Sequence, residues 1–314
     1  MIDFSKLTQP YLIAEIGVNH NGDIQVAKKL IDATFACSWH CAKFQKRNPD
    51  RCVPEAQKGL PRDTPWGRMT YLEYRRRLEF GESEYNLIDR YCAAKPVAWT
   101  ASVWDLDSLE FLMRYDLPFL KVPSAVITDL ELVREAAKSG LPVVLSTGMS
   151  SIKEIDEAVE CVTRYGRQFV LMHCNSSYPA RLQDLNLNCI ARLRERYRCM
   201  VGYSGHEYGL DPTTIAVALG ARVVERHVTL DRFMWGTDQL ASVEPQGMDK
   251  LFKQLRSIDA MLGDGVKRIY ESEIPIREKL RRRVEAPAGV AEAAAGQGEA
   301  IHSGLFHLSR LTGG

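Results

Sequence analysis

The sequence predicts an α/β fold, a (β/α)8 TIM barrel with a short C-terminal extension, on three observations. Eight short apolar runs, each ending in polar residues, alternate with helical stretches between Tyr11 and about Gly263. Each run is rich in β-branched or aromatic residues and too short for a helix, as suits a strand buried on both faces. The 314 residues leave room for one barrel of about 250 residues and an appendage. An open doubly wound sheet is the alternative, because periodicity does not show closure.

The runs are YLIAEIG (11–17), CAKFQ (41–45), VAWTAS (97–102), FLKVPS (119–124), PVVLSTG (142–148), FVLMHC (169–174), CMVGYS (199–204) and RVVERHV (222–228). Between them, Asp23 precedes an apolar repeat at helical spacing, 82–94 reads as a helix, and 105–115 opens on an acidic cap. The stretches 129–138 and 151–165 close at Gly140 and Gly166, and Asp211-Pro212 opens a helix that stops at Gly220. The connection 46–81 carries four prolines and four aromatic residues, so it is expected to be functional or to form short helices of its own. We place the catalytic barrel over 1–285 and a tail rich in Ala and Gly over 286–314. The basic stretch 274–285 reads as a solvated helix face.

Composition narrows the function. The 41 basic and 40 acidic side chains leave a net charge of +1, which gives no electrostatic reason to expect nucleic acid or an anionic membrane as partner. No apolar run of about 18 residues exists to span a bilayer, and the N-terminus has no signal pattern, so a cytoplasmic location is expected. The eight cysteines form no C-x-x-C pair and are read as free thiols.

Barrel chemistry collects at the C-terminal strand ends. Those ends carry Glu15, Lys43, Gln45, Thr100, Ser102, Lys121, Ser124, Ser146, His173, Asn175, Tyr178, Ser204, His206, Glu225 and His227. A lysine in an apolar strand is costly unless paired with negative charge, and a structural carboxylate would serve for each. Two lysines beside hydroxyls on neighbouring strands point instead to an anionic ligand, phosphate or carboxylate. His206 and His227, with Glu207, Glu225 and Asp238 near in sequence, suggest a site for Mn2+, Zn2+, Fe2+ or Co2+. Glu15 is placed to act as a base or to pair with a lysine. His173 either packs or orients a ligand.

The motifs Y-L-I-A-E-I-G-V-N-H-N-G, K-F-Q, K-V-P-S, L-S-T-G-M, H-C-N-S-S-Y-P, G-Y-S-G-H and E-R-H-V-T-L-D-R…G-T-D-Q together resemble the sialic acid synthase (N-acetylneuraminate synthase) family over about 10–285. The resemblance implies a cytoplasmic homo-oligomeric transferase that joins phosphoenolpyruvate to a small open-chain aldose, giving a 2-keto-3-deoxy sugar acid and phosphate. It implies Glu15 as acid/base. Lys43, Lys121, Ser124, Ser146, Asn175 and Ser204 would hold phosphoenolpyruvate, with Thr100 lining that site. Gln45, Tyr178 and Asp238 would lie on the sugar side, Asp238 counted with the catalytic set. His206 and His227 would bind a divalent metal, Mn2+ foremost, with Mg2+ or Co2+ as alternatives. A related synthase or lyase using a phosphorylated acceptor, or a non-catalytic binding homologue, stays open.

Several positions depart from the family pattern. Ala125 and Val126 stand where glycine and glutamate are usual, Gly205 replaces an aspartate, Gln239 replaces a histidine, and W-T-A-S-V-W replaces an S-T-P-F form. The last residues only faintly resemble the opening of an antifreeze-like module that in many members supplies an arginine to the sugar. Closure of the acceptor pocket is therefore expected from 46–81 or from another subunit.

Overall fold

The computed structural model describes residues 1–282; the predicted tail at 286–314 lies outside them. The chain divides into two compact units, Met1–Ile258 and Asp259 onward. In the first, eight parallel strands close into a barrel: β1 (Tyr11–Gly17), β2 (Cys41–Lys46), β3 (Ala98–Val103), β4 (Leu120–Val122), β5 (Val143–Ser146), β6 (Phe169–Cys174), β7 (Met200–Gly205) and β8 (Val223–His227). Each strand pairs with its neighbours in sequence, and β8 returns to pair with β1. Closure settles the choice between barrel and open sheet. The helices that follow are α1 (Ile24–Ala36), α2 (Glu82–Ala93), α3 (Leu106–Leu112), α4 (Leu130–Lys138), α5 (Ile152–Thr163), α6 (Cys189–Tyr197), α7 (Asp211–Ala218) and α8 (Pro245–Leu262).

Local chemistry fixes the helix starts. The Asp23, Asp105 and Asp129 carboxylates accept from the first-turn N–H groups of Gln25, Ser108 and Leu132. Ser151 and Glu154 form a reciprocal capping box at α5. The connection after β2 holds short helices (Pro49–Cys52, Glu55–Lys58), an antiparallel hairpin (Pro61–Thr64 with Gly67–Thr70) and a helix at Tyr71–Leu78. The second unit has a helix at Ile274–Leu280.

Side-chain alternation divides the core into two regions. Outward residues such as Leu12, Phe44, Val122, Leu145 and Val224 pack beneath the helices. Inward residues Ile13, Cys41, Phe119, Val144, Val170, Met172 and Val223 fill the N-terminal half of the barrel, with Phe4 packed against them. All eight cysteines are unpaired thiols.

Candidate active site

One pleat further along the same strands the interior becomes polar. Strand register sets Lys43 and His227 on either side of Glu15, Glu225 beside Ser204, and Ser102 beside both Gln45 and Lys121. These side chains surround a cavity of about 180 Å3, whose wall is completed by Ser124, Ser146, Tyr178 and His206. Lys43, Lys121, His206 and His227, far apart along the chain, thus meet at one rim.

The charges are buried and linked. Lys43 Nζ lies 2.6 Å from Glu15 Oε2 and 3.5 Å from Glu225 Oε1, and donates to Ser102 Oγ at 2.7 Å. Burial opposes its charge, yet Glu15 and Glu225 together raise the Lys43 pKa. Gln45 Nε2 donates to Glu15 Oε1 at 2.8 Å, which fixes the carboxylate plane. Glu225 also accepts from Ser204 Oγ at 3.2 Å. Burial would raise the Glu225 carboxyl, but Lys121 and Lys43 overrule it and hold it near 2.

Lys121 is less well served. The residue is 2% exposed, and among the described residues its ammonium has one polar contact, Glu225 Oε1 at 3.5 Å. Burial outweighs that partner and lowers its pKa. An ammonium has three donors, so two are left without a protein acceptor at the cavity wall. Ser124 Oγ accepts from the Gly148 N–H at 3.0 Å, next to this lysine on the cavity wall. A Cβ at Gly148 would collide with the Ser176 and Ser124 hydroxyls, so only glycine lets the backbone approach.

On the opposite wall the His206 and His227 rings lie 5.4 Å apart. His206 Nδ1 donates to the Asn175 carbonyl at 2.6 Å, which leaves Nε2 as acceptor facing the Tyr178 hydroxyl at 3.0 Å. Burial holds His206 neutral, its pKa lowered to about 3. His227 Nδ1 is buried without a hydrogen bond, with Asp238 Oδ2 at 3.6 Å. Two imidazoles, one neutral and one with an orphaned nitrogen, suit a divalent cation. No cluster of three His, Cys, Asp or Glu forms among the described residues, so the remaining positions would fall to water or substrate.

Three expected site residues take other places. Thr100 is wholly buried and donates to the Phe119 carbonyl at 2.7 Å, sealing the layer below the cavity rather than lining it. The Asn175 side chain turns to Asp184 and Ser177, and only its carbonyl serves the site, through His206. Asp238 stands behind His227, outside the cavity wall. Glu225 and Glu207, both read as metal-side carboxylates, differ as well: Glu225 bridges the lysines, and Glu207 pairs with Arg226 at 3.0 Å. His173 is tied to the Leu185 carbonyl at 2.7 Å and packs. Trp104 lines the cavity and was not foreseen; only its position just past β3 could have signalled it.

The NeuB family model matches residues 30–267. Human N-acetylneuraminate-9-phosphate synthase is 36% identical over 287 residues, covering 90% of this chain and 79% of that protein. The N,N'-diacetyllegionaminic acid synthase of Legionella pneumophila is 34% identical over 285 residues, covering 87% and 79%. The crystal structure of N-acetylneuraminic acid synthetase from Leptospira borgpetersenii, in complex with citrate, superposes with a TM-score of 0.77 at 33% identity, covering 88% and 94%. The chain belongs to the NeuB family, the sialic acid synthases, and is an enzyme of that carbon–carbon bond-forming type.

Proposed function

We propose that the enzyme condenses phosphoenolpyruvate with an open-chain amino sugar such as N-acetylmannosamine or a relative, giving a 2-keto-3-deoxy sugar acid and phosphate. The observation that carries this reading is the under-satisfied Lys121 ammonium, buried against a cavity with hydroxyls from Ser124 and Ser146. Such an arrangement matches a small polyanion better than a neutral ligand. The names of the relatives support the product class.

In this reading Lys121, Lys43 and the serine hydroxyls hold the phosphate and carboxylate and present C3 of phosphoenolpyruvate to the acceptor. The C3 electron pair forms the new bond to the aldehyde carbon, leaving cationic character at C2. The aldehyde π pair moves to its oxygen, which takes up a proton; water adds at C2, and the intermediate expels phosphate by C–O cleavage as the second water proton leaves and C2 becomes the ketone. Glu15, oriented by Gln45 and Lys43, takes the proton of that water. His206 and His227 would hold a divalent cation, Mn2+ or alternatively Mg2+ or Co2+, which supplies Lewis acidity toward the aldehyde oxygen.

The test is a panel of aldoses, phosphorylated and not, incubated with phosphoenolpyruvate and Mn2+, with the 2-keto-3-deoxy product detected directly. Product with an amino sugar is expected, and chelation should abolish it. Phosphate release with no acceptor in the panel would sink the proposal.

A further inference from the structure

We infer that the protein has a second anion site, for a phosphate-bearing small molecule, at the opposite rim of the barrel. A cavity of about 550 Å3 opens where β6 and β7 begin, next to the ends of α6 and α7. Its size lies within the roughly 300–1,000 Å3 of small-molecule pockets. Arg167, Arg194, Arg198 and Arg222 line it. Phe169 and Met200 form part of its apolar wall.

The arginines of α6 divide into two kinds. Arg192 pairs with Glu195 at 3.4 Å, and Arg196 grips Asp156 with two bonds of 3.0 and 2.7 Å. Arg194 and Arg198, the two that line the cavity, have no carboxylate partner among the described residues. Arg167 comes in from the segment before β6, where its Nε donates to the Ala137 carbonyl at 3.3 Å.

The backbone beside both arginines is in the left-handed region. Arg198 caps α6 with φ 48°, in the left-handed region that helix ends ordinarily give to Gly or Asn. The chain accepts that conformation with a full side chain. Gly220, at φ +103°, lies against the Arg194 guanidinium, and a Cβ there would overlap it. The dipole of α6 favours Arg194 and Arg196 in its last turn and Arg198 at its cap, but it does not account for Arg167 and Arg222, which reach the cavity from outside that helix. Planar forks converging on one cavity match phosphate oxygens. The site stands at the far ends of the strands from Lys43 and Lys121, and it does not depend on the proposed condensation.

Inorganic pyrophosphate is the probe, titrated by calorimetry into the wild type and a set of variants. Arg194→Gln/Arg198→Gln should weaken binding by at least about tenfold, since two charge-assisted contacts are lost. Arg192→Gln/Arg196→Gln, on the same helix, should leave it unchanged. Lys121→Met should retain it, which separates this site from the upper rim. Each single variant, Arg194→Gln and Arg198→Gln, should show part of the loss, so the comparison does not hinge on how the double variant folds. The inference is overturned by any of three results: no binding in Lys121→Met, binding that survives the Arg194/Arg198 change made in the Lys121→Met background, or equal weakening in the Arg192/Arg196 control.

Discussion

The lower and upper halves of the barrel interior are built by the same strands one pleat apart. Ile13 gives way to Glu15, Cys41 to Lys43, Phe119 to Lys121, Val144 to Ser146, and Val223 to Glu225. Both layers are buried, but they are buried for different reasons. The lower one removes apolar area from water, at about 25 cal/mol per Å2, and thereby stabilises the closed sheet. The upper one sets Lys43 and Lys121 against Glu15 and Glu225; partners outweigh burial at Lys43 and Glu225 but not at Lys121, so the return from Lys121 is in ligand binding rather than stability. Changes in the two layers should therefore separate folding from function.

The largest expected effect is on turnover. Glu15→Gln keeps the shape of the upper layer and removes its proton acceptor, so phosphate release should fall by about 10²–10⁴-fold. Steady-state assays on the folded variant measure this, and retention of full activity would remove Glu15 from the proton step. In the lower layer Phe119→Ala should cost about 3–5 kcal/mol in urea unfolding. Its affinity for phosphoenolpyruvate should stay at the wild-type value, provided the assay is run well below the unfolding transition. A large loss of affinity would mean that the layers are not separable.

A third expectation concerns acid. His20 is buried, stacks on Phe80 at 3.9 Å and accepts from the Gly22 N–H at 3.0 Å. Burial lowers its pKa from 6.5 to about 3. The unfolded chain therefore binds a proton at His20 below pH 6.5 while the folded chain does not, and stability is lost as pH falls from 6.5 toward 3. Between pH 7 and pH 5 this one group accounts for about 2 kcal/mol. His20→Asn should flatten that limb of the stability profile, and an unchanged limb would assign it to other groups. The smallest effect belongs to the rim: Ser151→Ala, which removes the α5 cap, should cost about 1 kcal/mol with no change in activity.

Much of this arrangement was legible in the chain. The β1 and β6 runs match their strands residue for residue, because runs buried on both faces and bounded by polar residues allow little slippage. Two helices, α6 and α8, carry no boundary signal that the sequence reading uses. α6 is arginine-rich and has no side-chain cap. The polar strand ends were legible because charge inside an apolar strand is conspicuous. What the spacing did not show was which partner each group would take. Thr100 faces inward as expected, yet its hydroxyl goes to the nearer Phe119 carbonyl. Asn175 serves through its backbone, which no side-chain pattern encodes. Glu225 reads equally well as metal ligand or counter-ion until the barrel closes and sets it between two lysines.

The most direct test of the central claim is the dissociation constant for phosphoenolpyruvate in the wild type and in Lys121→Met, with unfolding free energies measured on the same samples. The account predicts affinity at least about tenfold weaker, with stability unchanged or higher, because a buried ammonium with one distant partner contributes to the anion and not to the fold. Wild-type affinity in the variant, or affinity lost only in step with stability, would contradict it.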